Sequence, residues 1–281
     1  MKAMGKVAIG SLITLVVGSV MVGTAFAIGG INVLTLNPET VDPRIVDIDH
    51  DFNNISIDVV SDDVVFRSAG NGNCRVELYE YEDMDHEVEV QGDTLTITSD
   101  DEWIPHFTIG FSQSPKVVVY LSEDEYKNLE VEVTTGDVIF DAHFTFDEVT
   151  INISTGDLDM RDTDVNGDIN IDKTTGDCDL VDVTCENLNY NSISGDINLQ
   201  NVIVSLEIDI YMTSGDVFFD GSDAFDIDVE IITGDVAGTL LTAKTFDVNV
   251  NTGDVSIPSD GNGGNCTIQV NTGDVVLDIE S

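Results

Sequence analysis

The tetrapeptide Thr135-Gly136-Asp137-Val138 returns, slightly altered, to the end of the chain. Its copies are Thr155-Gly156-Asp157-Leu158, Thr175-Gly176-Asp177-Cys178, Ser194-Gly195-Asp196-Ile197, Ser214-Gly215-Asp216-Val217, Thr233-Gly234-Asp235-Val236, Thr252-Gly253-Asp254-Val255 and Thr272-Gly273-Asp274-Val275. Successive glycines lie 20, 20, 19, 20, 19, 19 and 20 residues apart. A near-constant period of this length marks a repeat array, in which each copy buries its apolar face against its neighbours.

Numbering each copy from its glycine exposes apolar columns. Seven residues before it stand Leu129, Val149, Ile169, Leu188, Ile208, Ile227, Phe246 and Cys266. The columns five before, two after and four after are also mostly Val, Ile, Leu and Phe, while Asp, Asn, Glu and Thr fill the positions between. Each copy therefore reads as strand, Thr/Ser-Gly-Asp corner, strand and return. The expectation is an all-β, parallel β-solenoid (β-helix-like) of about eight coils over 126–281. Seven steps of one strand spacing give about 34 Å. An antiparallel meander or sandwich also permits strands at this spacing, but gives no reason for like residues to fall in columns. Cys178 and Cys266 sit in core columns and read as small buried hydrophobes. With Cys74 and Cys185 they form no Cys-x-x-Cys pair, which argues against zinc or thioredoxin-like chemistry.

Before the array, residues 45–125 read as a smaller β region. Ile55, Ile57 and Val59 alternate with Ser56 and Asp58, the period of a strand. Ser61-Asp62-Asp63-Val64 resembles a degenerate corner. Val76 and Leu78 share a face with Cys74, and Gly92-Asp93 turns a hairpin before Leu95 and Ile97. Ser122 to Glu125 would start a single helical turn before Tyr126.

Residues 1–30 hold Lys2 and Lys6 and then an uncharged run from Val7 to Gly30. A helix of about 24 residues spans about 36 Å, enough to cross a bilayer core. Basic residues before it and acids after it place the N-terminus in the cytoplasm and the rest outside. The reading is a single-pass cell-membrane anchor with an extracytoplasmic C-terminal domain, joined by a linker over 31–44. The competing reading is a signal peptide cleaved after Ala25-Phe26-Ala27.

Asp and Glu total 54 against 10 Lys and Arg, a formal charge of −44. Such a field repels nucleic acid and anionic membrane surfaces and favours cationic envelope components or basic proteins. The corner aspartates form a ladder whose charge is relieved either by backbone amides at the turns or by Ca²⁺. A sharper metal signal is Asp162-Thr163-Asp164-Val165-Asn166-Gly167-Asp168, which begins like a calcium loop. Its candidate ligands are Asp162, Asp164, Asn166 and Asp168; position twelve, a bidentate Glu in complete loops, is Lys173. Asp47, Asp49, His50 and Asp51 form another polar cluster, and Asp83, Asp85, His86 and Glu87 a third. Neither the four scattered histidines (His50, His86, His106 and His143) nor any known nucleophile motif supports catalysis.

Ile55-Ser56-Ile57-Asp58-Val59, Gly92-Asp93-Thr94-Leu95-Thr96-Ile97, Tyr126-Lys127-Asn128-Leu129-Glu130-Val131 and the eight corners together resemble the prokaryotic β-strand-repeat family labelled "putative adhesin". The resemblance covers residues 45 to 281 and implies an exported, β-solenoid-like, envelope-associated domain of unknown function. It carries over no catalytic or binding residues. The leading functional expectation is an anchored structural or interaction protein. The alternative is a Ca²⁺-binding surface protein stiffened at its repeat carboxylates, and an envelope glycan hydrolase comes last.

Overall fold

In a computed structural model, the structure describes residues 42–70, 72–80, 85–99, 115–122 and 125–280. The expected membrane segment, His106 and most of the linker lie outside them. Among the described residues there is no helix, and none long and apolar enough to cross a membrane. The seven strands before the array are β1 (Arg44–Asp47), β2 (Asn54–Val59), β3 (Asp63–Ser68), β4 (Arg75–Tyr79), β5 (His86–Gln91), β6 (Thr94–Ser99) and β7 (Lys116–Leu121). The array contributes β8 (Tyr126–Thr135), β9 (Val138–Phe140), β10 (Phe144–Thr155), β11 (Leu158–Val165), β12 (Asp168–Thr175), β13 (Cys178–Ser194), β14 (Ile197–Gln200) and β15 (Ile203–Ser214). It ends with β16 (Val217–Ser222), β17 (Asp226–Thr233), β18 (Val236–Leu240), β19 (Thr245–Thr252), β20 (Val255–Ser256), β21 (Asn265–Thr272) and β22 (Val275–Ile279).

Copies of the repeat pair in parallel and in register: Leu129 faces Val149, which faces Ile169, which faces Leu188. That pairing excludes the meander. Val131, Val149, Ile169, Leu188 and Ile208 are fully buried, as the columns predict. Each glycine is required by its neighbour. Gly156 has φ +146°, and a Cβ there would lie 1.9 Å from the carbonyl oxygen of Gly136. A side chain at that point is excluded sterically as well as conformationally.

The stack is not in sequence order. Before the corners it runs β6, β2, β8, β10, β12, β13, β15, β17, β21, β19. The last coil of the chain, β21 and β22, is thus inserted beneath the one before it, and β19 and β20 form the end. At the other end, β2 and β3 lie beneath β6 and β7 in the same way. The degenerate Ser61-Asp62-Asp63-Val64 corner therefore belongs to the stack itself. Antiparallel β5 covers β6, and antiparallel β4 with β1 covers β7. Nine steps of one strand spacing make this unit about 43 Å along the stack.

Lys244 pins the exchanged end. Its buried Nζ donates to the Ala224 and Gly263 carbonyls and pairs with Asp223 Oδ1 at 2.6 Å. Returns of three coils thereby meet on one ammonium.

Candidate functional site

The corner aspartates answer the question their repulsion poses. Asp137 Oδ1 accepts the backbone N–H of Asp157 at 2.8 Å, Asp157 Oδ1 that of Asp177 at 2.7 Å, and Asp177 Oδ1 that of Asp196 at 2.9 Å. The ladder continues through Asp216, Asp235 and Asp274 to Asp254, and starts from Asp63. One carboxylate oxygen of each but the last, Asp254, is spent on the next coil's amide. From Asp157 onward the side chains are exposed, so their second oxygens form a ridge spaced by about 4.8 Å per coil. Elsewhere the acids are hydrogen-bonded sideways: Asn187 donates to Asp168, Asn191 to Asp172, Asn198 to Asp179 and Asn201 to Asp182, at 2.6 to 3.0 Å.

The calcium-like segment is spread along the coil. Asp162 has φ +48° and marks a second corner, six residues after the glycine. Asp182 (φ +55°), Asn201 (φ +52°) and Gly221 (φ +62°) hold the same place in later coils. Asp and Asn tolerate the left-handed region because their short polar side chains bond locally. Asp162 Oδ1 meets His143 Nδ1 at 3.1 Å, and Asp164 Oδ1 accepts from Thr184 Oγ1 at 2.5 Å. Asn166 donates to Asp147, and Asp168 accepts from Asn187. His143 also brings its Nε2 to 3.9 Å from Asp164 Oδ2, so Asp162 and Asp164 share that ring while Asn166 and Asp168 have other partners. Lys173, the would-be twelfth ligand, is buried and puts its Nζ on the Asp177 carbonyl at 2.5 Å. Burial lowers its pKa. Among the described residues no group of three or more His, Cys, Asp or Glu is placed to hold a metal ion.

Of the third acidic cluster, His86 enters a buried relay. Its Nε2 lies 3.1 Å from Asp62 Oδ2 and its Nδ1 3.0 Å from Glu80 Oε1. Arg44 holds Glu80 through two nitrogens, at 3.0 and 2.7 Å. Burial alone would favour the neutral ring, but the two carboxylates outweigh it and raise the His86 pKa. Burial pushes Glu80 up, yet Arg44 and His86 hold it below the usual carboxylate range. Sequence reading missed this relay, although one signal pointed to it: Asp62 stands in the glycine column.

Asp49, His50 and Asp51 line a cleft of about 700 Å³ with Phe52, Cys74, Ser122, Glu125 and Tyr126. Asp47 lies on β1. Cys74 accepts from the Ser122 N–H at 3.4 Å and lies 3.6 Å from the Tyr126 hydroxyl, while the Phe52 and Tyr126 rings stack at 5.6 Å. The other three thiols are buried, and burial pushes each up to about 12.

The sequence matches the family described as Toastrack DUF4097 over residues 52–202 and again over 162–281, which together take in the whole stack. The chain belongs to this Toastrack family. Comparison with curated proteins finds no match. Among solved structures, the chain is similar to one from Bacteroides fragilis described as a putative adhesin. They share 16% identity and a TM-score of 0.58, over 87% of this chain and 100% of that one. A Parabacteroides merdae structure with the same description gives 15% identity and a TM-score of 0.48, over 87% of this chain and 98% of the other. At such identities the first likeness speaks to fold: the Toastrack unit is all-β and β-solenoid-like.

Proposed function

We propose that this Toastrack protein is a non-enzymatic, exported interaction module. In this reading it is anchored in the cell membrane by its N-terminal segment and engages a cationic envelope component or basic protein. The observation that carries the reading is the corner ridge, a rigid in-register row of carboxylates each with one oxygen left to the outside. A flexible acidic tail would lose entropy on binding a polycation; a ridge fixed by parallel strands has already lost it. The repeat surface is regular, and the acids of its corners and Asn columns serve as turn and amide partners.

Binding of the full chain to oligolysine tests this. Asp137, Asp157, Asp177 and Asp196 replaced together by Asn keep an oxygen for each ladder bond and lose four charges. A control removes four exposed carboxylates elsewhere: Asp58, Glu130, Glu132 and Glu148. The corner variant is expected to bind at least about tenfold more weakly than the control, as a fixed charge row implies. Equal weakening would reduce the ridge to net charge alone. The same uncommitted oxygens support the calcium alternative, for which calorimetric titration of the full chain is the direct measurement.

A further inference from the structure

The corner ridge changes its borders along its length. Among the described residues, Ile45 is the one large hydrophobic exposed before Ile193, so the coils of Gly136, Gly156 and Gly176 expose none. Later coils do. Two residues before the glycine, Thr134, Ser154 and Thr174 give way to Ile193 and Ile232, 56% and 41% exposed, on either side of Thr213. Three residues after it, Asp159, Asp179 and Asn198 give way to Phe218 and Val276, 46% and 47% exposed, on either side of half-buried Ala237. Asp196, Asp216, Asp235 and Asp274, joined in that order by their ladder bonds, run between these two apolar borders. At about 4.8 Å per coil, this part of the ridge is about 14 Å long. Exposed apolar side chains rimmed by polar ones mark an interaction surface.

We propose that this stretch docks a basic amphipathic helix of a partner protein, with its Lys or Arg row on the four aspartates and its apolar residues on the two borders. The inference rests on the cationic-partner reading and gives that partner a form. Charge selects the occupant. A second copy of this chain would set carboxylates against carboxylates, and a neutral apolar segment would bury the free carboxylate oxygens without a partner. Spacing selects the helix. One face of a helix returns about every 5.4 Å, so four side chains in a row span about 16 Å against about 14 Å for the aspartates. An extended strand returns to one side about every 6.8 Å, and four such side chains span about 20 Å. The flexible stems of Lys and Arg absorb the smaller offset and lie along the apolar borders. The earlier ridge, bordered by Thr, Ser and Asp, offers the charge without the apolar contact.

Fluorescence anisotropy of two labelled helical peptides with the full chain tests it. Both carry the same row of lysines, bordered by leucines in one and by glutamines in the other. The Leu-bordered peptide is expected to bind at least about tenfold more tightly, from burial of its leucines against the exposed apolar borders. The variant Ile193→Thr, Ile232→Thr, Phe218→Asn and Val276→Asn loses that preference and holds oligolysine within about twofold of wild type, since no charge changes. Thr213 and Asn198 already occupy these columns, and circular dichroism confirms that the variant keeps its fold. Asp216→Asn with Asp235→Asn weakens the Leu-bordered peptide more than Asp157→Asn with Asp177→Asn does. Equal binding of the two peptides, a border variant that retains the preference, or equal effects of the two aspartate pairs would each overturn the proposal and leave the ridge reading standing. Oligolysine binding indifferent to the corner aspartates would defeat the ridge reading and this inference with it.

Discussion

At the residue scale, the corner glycine and the second-corner aspartate make the same turn problem visible in different degrees. Gly195 has φ +127°, and its missing Cβ would stand 2.0 Å from the Gly176 carbonyl oxygen. Gly92 has φ +69° with nothing within 4 Å of where a Cβ would be. Gly195→Ala is therefore expected to cost about 3–5 kcal/mol, from strain plus a backbone clash. Gly92→Ala should cost about 1–2 kcal/mol, the left-handed penalty alone. Urea unfolding of the two variants checks the contrast; similar midpoints would mean that the stack spreads apart at little cost. The first corner was legible because glycine recurs in all eight copies of the array, where a Cβ would strike the neighbouring carbonyl; the degenerate corner with Asp62 in that place is the exception. The second was not. Asp162, Asp182, Asn201 and Gly221 all satisfy it, and a column of mixed Asp, Asn and Gly reads as a metal loop when seen once.

At the element scale, the columns specify which residues stack but not which coil lies next. Every copy offers the same apolar positions, so β17 accepts β21 as readily as β19. The exchange is decided by side chains that belong to no column, Lys244 above all, and these have no periodic signature. The hairpin cap at the opposite end depends likewise on single residues. Asp62 occupies a glycine position and reaches His86 on β5, which reaches Glu80 and through it Arg44 on β1. Because the His86 pKa is raised in the fold, the proton it holds stabilises the folded state. That contribution is complete below the ordinary histidine value of 6.5 and is lost as pH rises through the raised value. Glu80, held low, adds stability above the usual carboxylate range and loses it as pH falls through its lowered value. His86→Gln should thus lower the melting temperature most near pH 6, with the difference from wild type shrinking toward pH 9. A difference constant with pH would show that the relay holds the cap by shape and not by charge.

At the scale of the whole molecule, the fold tolerates a charge of −44 by giving its acids local partners. Corner carboxylates accept amide hydrogens along the stack, and Asn columns interpose neutral donors between Asp columns. Those bonds relieve nearest neighbours and leave the long-range field intact, because each donor is a neutral amide and removes no net charge. The remaining self-repulsion acts across the coils and is screened over about 10 Å at 0.1 M salt. Melting temperature is therefore expected to rise steadily as NaCl increases from about 0.01 to 1 M, over which the Debye length falls from about 30 to 3 Å. Hydrophobic burial gains less from NaCl than from sulfate. Replacing NaCl by sodium sulfate at matched ionic strength separates the two effects, since screening depends on ionic strength alone. The same scan with CaCl₂ at matched ionic strength weighs the function. An equal rise means that cations act on the field and the ridge is free for a basic partner. An additional rise with calcium, lost when the four corner aspartates are replaced by Asn, would assign the ridge to the cation instead. A melting temperature indifferent to salt would mean that the local partners suffice and that the field does not oppose the fold.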